Sequence, residues 1–251
     1  MLKILMERFR QGHQTKSLEV LREGLPDRFR GMPVVDGSRC PEGCRFCLDA
    51  CPTGALARNG SMFRVDLGKC LFCTACQVAC PEGVISYSRE HRLASRTREG
   101  LVAQGAIPAK AAALQDRMRR LLGRSLKLRQ VSAGGCNACE ADVNVLGTLA
   151  WDLGSYGIQM VASPRHADGL LITGPVPENM RLALRKTYDA VPDPKIVIAV
   201  GACALSGGAY AGSKEKCEGA DAVVPVDLYI PGCPPHPLTI LEGLLGLLGR
   251  S

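Results

Sequence analysis

Cys40-Pro-Glu-Gly-Cys44-Arg-Phe-Cys47-Leu-Asp-Ala-Cys51-Pro52 returns, thirty residues on, as Cys70-Leu-Phe-Cys73-Thr-Ala-Cys76-Gln-Val-Ala-Cys80-Pro81. The likeness runs past the prolines: Ala50-Cys51-Pro52-Thr53-Gly54-Ala55-Leu56 matches Ala79-Cys80-Pro81-Glu82-Gly83-Val84-Ile85 at an offset of 29 residues. Thiolates at this spacing, closed by Cys-Pro, hold [4Fe–4S] clusters, and the fourth cysteine of each run serves the other cluster. On that rule Cys40, Cys44, Cys47 and Cys80 hold one cluster, and Cys70, Cys73, Cys76 and Cys51 hold a second. The exchange sets the two side by side in one small core, which suits electron hopping. A zinc site calls for neither a third cysteine at this spacing nor a following Cys-Pro. One departure stands out. The first spacing, Cys40-x3-Cys44, has one residue more than Cys70-x2-Cys73, so that loop is expected to bulge and its potential to differ.

Outward from these runs the chain divides into four stretches. Residues 36–88 form a bacterial ferredoxin-like domain with two clusters, each half a cysteine loop, a short helix and a short strand, with Met62–Asp66 a strand leading into the second loop. Residues 1–35 form an N-terminal arm. Leu18, Leu21 and Leu25 have helical spacing, Pro26 closes the segment, and the helix is expected to pack on the cysteine-rich core, with a docking arm as the alternative. Residues 89–126 are rich in arginine and lack cysteine. They read as a basic, partly helical linker, with Ala109–Leu122 the helix former. Residues 127–251 alternate strand and helix: strands at 127–131, 158–162, 169–173, 196–200 and 223–226, helices at 140–153, 177–190 and 238–248. That alternation predicts a parallel sheet with helices on both faces.

Composition narrows the function classes. Thirteen cysteines without an export signal argue for metal-bound thiolates in a reducing compartment rather than for disulfides. No run of about 18 apolar residues spans a membrane. The formal charge of +7 hints at nucleic acid. An oxidised cluster with its thiolates carries about −2, so three clusters bring the total near +1 and the hint disappears.

Four further cysteines sit at strand ends. Cys136 and Cys139 follow the strand ending at Val131, Cys203 follows the strand ending at Val200, and Cys233 stands in Pro231-Gly232-Cys233-Pro234-Pro235. Sites in open α/β sheets form beyond the carboxyl ends of the strands, so these loops converge four thiolates, enough for a third cluster. The flanking glycines let backbone N–H groups approach its sulfurs.

Here the residues resemble a family. Cys-Asn-Ala-Cys-Glu at 136–140, His166-Ala-Asp168, Gly201-Ala-Cys203-Ala-Leu-Ser-Gly207-Gly208 and Val226-Asp-Leu-Tyr-Ile-Pro-Gly-Cys-Pro-Pro235 are similar to the small subunit of energy-converting (group 4) membrane-bound [NiFe]-hydrogenases, formate hydrogenlyase included. They are similar too to the homologous 20 kDa-type subunit of complex I. Arg30-Gly-Met-Pro-Val-Val-Asp36 and the two cysteine runs resemble the ferredoxin-like subunit of the same complexes, so the chain looks like a fusion of two usually separate subunits. The fold implied is α/β: an N-terminal bacterial ferredoxin-like domain, then a flavodoxin-like parallel-sheet domain. The resemblance implies that Cys136, Cys139, Cys203 and Cys233 hold the cluster nearest the catalytic site of a partner, the large subunit of a [NiFe]-hydrogenase. It also implies membrane-arm subunits and a cytoplasmic position, peripheral on the inner face of the cell membrane. The chain lacks the paired C-x2-C motifs of such a large subunit and is expected to be non-catalytic alone. Two residues separate Cys136 from Cys139, as in the hydrogenases, whereas the complex I relative typically has adjacent cysteines there. Hydrogenase is therefore the first reading, a quinone-linked complex I-like relay the second, and a zinc-stabilised structural adaptor the third.

The remaining residues take plainer readings. Cys217, between Lys216 and Glu218, is expected to be a free surface thiol. Glu140 reads as an acid at a helix N-terminus, with proton relay as the alternative. His166 and His236 read as structural, with His236 also close to Cys233, and Pro234-Pro235-His236-Pro237 as part of a partner-facing surface. The glycine-rich stretch 201–212 fits neither G-x-G-x-x-G nor a P-loop, so no nucleotide site is expected.

Overall fold

The computed structural model describes residues 2–60, 62–104, 114 and 125–250. Among the described residues ten strands, β1 to β10, form three sheets. β1 (Pro33–Val35) pairs antiparallel with β4 (Ile85–Tyr87). β2 (Leu56–Asn59), β3 (Met62–Asp66) and β5 (Val102–Ala103) make an antiparallel three-stranded sheet in that order. The short helices Phe46–Asp49 and Ala75–Val78 follow the two cysteine loops. These elements make the cysteine-rich lobe.

The second lobe is a five-stranded parallel sheet in the order β10-β9-β8-β6-β7. β6 is Leu126–Ser132, β7 Ile158–Met160, β8 Gly169–Thr173, β9 Ile196–Val200 and β10 Leu228–Ile230. Every residue of β8 and β9 is buried, as expected of strands covered on both faces. Strand periodicity sorts the side chains. Leu170, Ile172, Val197 and Ala199 join Leu184 and Leu205 on one face, and Leu171, Ile196, Ile198 and Val200 join Val143, Leu146 and the helix Pro237–Leu247 on the other.

The first of these faces also carries the cysteine-rich lobe. Leu56, Phe63, Val65, Leu67 and Leu101 belong to the same apolar cluster as Leu170 and Ile172, so the lobes share a core. A polar tie reinforces the contact, Ser206 Oγ donating to the Gly68 carbonyl at 3.0 Å, while within the cysteine-rich lobe Arg98 grips Asp66 through two bonds of 2.7 and 2.8 Å. Ser95 and Tyr229 exchange backbone hydrogen bonds of 3.0 and 2.8 Å, covering the free edge of β10.

Several expectations need correction. Leu21 and Leu25 pack on the far face of the parallel sheet and not on the cysteine-rich core. The preceding helix, Leu2–Gln11, buries none of its side chains. The helix expected over 140–153 is Ala138–Val145, and it ends in tight turns at Gly147 and Thr148. Val223–Val226 is not a strand. Pro225 has no N–H for a ladder, and the strand begins three residues after it, at Leu228. The helix expected over 109–122 lies, apart from Leu114, outside the described residues.

Candidate metal centres

Twelve of the thirteen cysteines divide into three sets of four by the effect their thiols have on one another. In the first, burial raises the Cys40 thiol, and Cys44 and Cys80 raise it further against the cation of Arg58. Cys47 is raised by burial and then by Cys80 and Cys40. In the second, burial drives the rise of Cys70 to about 12, opposed by the Phe72 N–H and aided by Cys76, Cys51 and Cys73. Cys51, Cys70, Cys73 and Cys76 line one small pocket beside Tyr87. In the third, burial raises Cys139, and Cys203, Glu140, Cys233 and Cys136 add to it. Cys203 is pushed up to about 11 by burial, then by Cys233 and Cys136.

Neighbouring sets also act on one another: Cys76 adds to the rise of Cys47 after burial, Cys80 and Cys40, and Cys73 adds to the rise of Cys233 after burial and Cys136.

The donor chemistry fits iron–sulfur clusters. Buried thiols that raise one another are held together either as neutral thiols or around a cationic centre that takes their protons' place. A single zinc ion, with Zn–S bonds of about 2.3 Å, would draw four sulfurs within about 4 Å of one another. A cube with one thiolate at each iron asks for wider spacing. The local backbone serves the same end. Phe72, Thr74 and Asn137, all within cysteine loops, take positive φ of 52°, 67° and 70°. Such values are uncommon for non-glycine residues and are concentrated at functional sites. Backbone N–H groups reach sulfur too: Ala55 donates to Cys51 at 3.2 Å and Phe72 to Cys70 at 3.4 Å.

The third group rests on the sheet's carboxyl edge. Gly201 (φ +88°) ends β9, and a Cβ there would overlap Cys139 Sγ. Gly208 (φ +55°) lies against Cys203 in the same way. Gly201→Ala is therefore expected to displace Cys139. Iron per chain should fall by about four with the other eight retained, as read by iron analysis on the purified chain. Unchanged iron would show that the glycine is not needed for the site.

Glu140 follows Cys139 and is buried. It accepts from Ser132 Oγ and Thr173 Oγ1, both at 2.7 Å, and so clamps the ends of β6 and β8. Burial opposes its charge, but the two hydroxyls and its own N–H outweigh that, and its pKa lies below the ordinary carboxylate value. Asp168 and Asp227, the other acids in these stretches, are strand clamps. Asp168 accepts from the Lys127 N–H at 2.7 Å, and Asp227 from the Val197 N–H at 2.9 Å. His236 Nδ1 accepts from the Leu238 N–H at 3.1 Å and caps the helix Pro237–Leu247. Its ring packs edge-on against Phe29, and burial lowers its pKa. His166 lies in the turn Pro164–His166 ahead of β8. Cys217 corrects its expectation: it is buried, 3.5 Å from Glu178 Oε1, with its N–H bonded to the Val176 carbonyl at 2.9 Å. Arg58 bonded to Cys40, and the network around Glu242, were not anticipated. A lone arginine in a strand and a glutamate in an apolar helix carry no local pattern that would mark them.

The family described as the NADH ubiquinone oxidoreductase 20 kDa subunit matches residues 136–247, a stretch holding all four cysteines of the third group. The chain is 40% identical over 126 residues to a probable membrane-bound hydrogenase subunit, mbhJ, of Pyrococcus furiosus, covering 50% of this chain and 75% of that one. The chain belongs to this family. It is 38% identical over 157 residues to formate hydrogenlyase subunit 7 of Escherichia coli, covering 62% of each. It is 42% identical over 114 residues to an NADH-quinone oxidoreductase subunit of Clostridium beijerinckii, covering 45% of this chain and 68% of that one. A 4Fe–4S dicluster domain matches residues 32–81, which contain both cysteine runs.

Proposed function

We propose that this family member carries electrons along three [4Fe–4S] clusters to or from the large subunit of a membrane-associated [NiFe]-hydrogenase. Iron–sulfur electron transfer within hydrogenase or complex I-like complexes follows from its two matched domains and its relatives. The finer reading is supported by one observation, that thiols of neighbouring sets lie close enough to raise one another, Cys76 acting on Cys47 and Cys73 on Cys233. Held there, [4Fe–4S] clusters supply one-electron exchange.

The chain's own residues do the rest. Cys40, Cys44, Cys47 and Cys80, then Cys70, Cys73, Cys76 and Cys51, then Cys136, Cys139, Cys203 and Cys233 fix the order and bring the groups close. The shared core holds that spacing rigid. At the third group Cys136 and Cys233 are exposed. Cys233 opens on a groove of about 300 Å³ whose wall includes Phe29, Arg30, Pro235 and His236, a face for the catalytic partner. Among the described residues no helix is long and apolar enough to cross a membrane.

Anaerobic purification of the native complex, with iron, nickel and zinc measured per chain, tests this reading. About twelve irons with nickel in a co-purified large subunit is the expected result. The same iron without nickel selects the quinone-linked alternative, which the 42% identity to the clostridial NADH-quinone oxidoreductase protein keeps in view. Zinc without iron overturns both.

A further inference from the structure

The internal repeat places Arg58 and Tyr87 at equivalent positions. Leu56-Ala57-Arg58 in β2 matches Ile85-Ser86-Tyr87 in β4, at the same offset as the cysteines. Both side chains turn back onto a cysteine, and each serves a different group. Arg58 Nη1 donates to Cys40 Sγ at 3.4 Å, whereas Tyr87 Oη lies 3.8 Å from Cys76 Sγ. One strand position thus delivers a cation to the first group and a phenol to the second.

Arg58 is fixed in place. The same Nη1 donates to the carbonyls of Pro41 at 3.0 Å and Cys44 at 3.1 Å, and Nε to that of Gly60 at 2.6 Å. Its guanidinium lies 5.2 Å from the ring centroid of Phe63, its cross-strand partner. Among the described residues its hydrogen bonds go to carbonyls and sulfur and none to a carboxylate, so its charge is not neutralised. The Cys40-x3-Cys44 loop, with Gly43 at φ +75°, turns two carbonyls toward Nη1. Arg30 is the cation bonded to the second loop. It is exposed to solvent and binds the Phe72 carbonyl at 2.6 Å, away from sulfur. Burial does not separate the two sets: Cys70 and Cys76 are buried but Cys73 is exposed, and Cys47 is buried beside the half-exposed Cys40 and Cys44.

We propose that Arg58 raises the reduction potential of the cluster held by Cys40, Cys44, Cys47 and Cys80 above that of the cluster held by Cys70, Cys73, Cys76 and Cys51. The two halves of the repeat are thereby made unequal. This rests on the ligand sets proposed above. Reduction adds an electron to a group that already carries about −2 with its thiolates. A fixed cation bonded to a ligand sulfur favours the more negative state. At the second group a neutral phenol stands in the equivalent place and gives less help. The outer end of the array fills first on reduction.

The test is an EPR-monitored redox titration of the full chain with its clusters in place. Cys40→Ser identifies the signal of the first site. Arg58→Gln is expected to move that midpoint down toward the second site's, leaving the other two midpoints and the iron count unchanged. Tyr87→Phe is expected to leave the first midpoint where it is. An unmoved first midpoint at full iron, or an equal shift of all three, overturns the proposal. Should Arg58→Gln lose iron, Arg58→Lys decides, because it keeps the charge and drops the fork. Full iron with the first midpoint above the second supports the proposal. Loss of iron in both variants reduces Arg58 to a structural clasp and overturns it. A Cys40→Ser chain that keeps all three wild-type signals would refute the ligand assignment instead, whatever Arg58 does.

Discussion

Cys203→Ser is expected to remove about four irons per chain, leave about eight, and bring electron delivery to the catalytic partner down to background. The argument starts from position. Cys203 sits in the helix Ala202–Ser206 just after β9, and its thiol is raised by burial and then by Cys233 and Cys136, its proposed partners with Cys139 at the third site. Serine differs by one atom, so the buried neighbours Ala202, Ala204 and Leu205 keep their packing. The contacts that hold the cysteine-rich lobe to the sheet involve Leu56, Phe63, Val65 and Leu101, none of which touches this change in chemistry. Iron analysis with EPR of the reduced chain reads the result. Two surviving signals at eight irons place the third site at the end of the line. Loss of all twelve would mean that the lobes, which share one apolar cluster, also depend on one another for assembly.

What the sequence revealed and what it hid divide along one line, the distance over which a signal acts. Cysteine runs are short-range patterns dictated by ligand geometry, and both could be read because each fits within about a dozen residues. β8 and β9 were legible for a similar reason, being unbroken apolar runs with β-branched residues. The four cysteines from 136 to 233 needed a rule about sheets, that loops meet at the carboxyl edge, before their convergence was visible. Residues whose meaning is set by a distant partner could not be read. Glu242 looked like an interruption of an apolar helix, yet its partner Arg22 lies 220 residues away. Cys217 looked exposed because its neighbours are charged. It is buried, with its N–H bonded to the distant Val176 carbonyl. Tertiary pairing also overrode β-propensity at Val223–Val226, where Pro225 spoiled the ladder.

The resemblance that suggested two fused subunits gains a physical aspect from the core. Electron exchange falls off with distance, so a relay benefits when separation is set by packing and not by a linker. Leu67, Leu101, Leu170 and Ile172 are fully buried within one cluster, and Ser206 ties the lobes across it. Cys73 of one lobe and Cys233 of the other lie close enough for one thiol to raise the other, so the proposed relay would cross at the same junction.

Glu242→Ala is expected to cost about 3 kcal/mol of stability at pH 7, among the largest effects of any substitution outside the cysteines. Its carboxylate is almost wholly buried in the helix Pro237–Leu247, bonded to Arg22 Nε at 2.6 Å and facing His91 Nε2 at 3.4 Å, with its other oxygen unpartnered. Arg92 and Tyr156 also feel its charge. Burial works against ionisation, but bonds from His91 and Arg22 and the charge of Arg22 prevail and hold the pKa at about 2. The folded value lies below the unfolded one, near 4.5. The stabilisation is therefore complete above pH 4.5 and is lost as pH falls toward 2, a shift worth roughly 3 kcal/mol. Glu242→Gln, which keeps the shape and drops the charge, separates ionisation from packing. The urea midpoint of wild type should exceed that of Glu242→Gln by a constant margin from pH 8 to 5, and the margin should begin to close at pH 4. A margin that widened with acid would reverse the sign and show that Glu242 is protonated in the folded chain. A margin already absent at pH 7 would mean that Arg22, which is partly exposed, returns to water at no cost and that the helix is held by Leu238, Leu241, Leu244 and Leu245 alone.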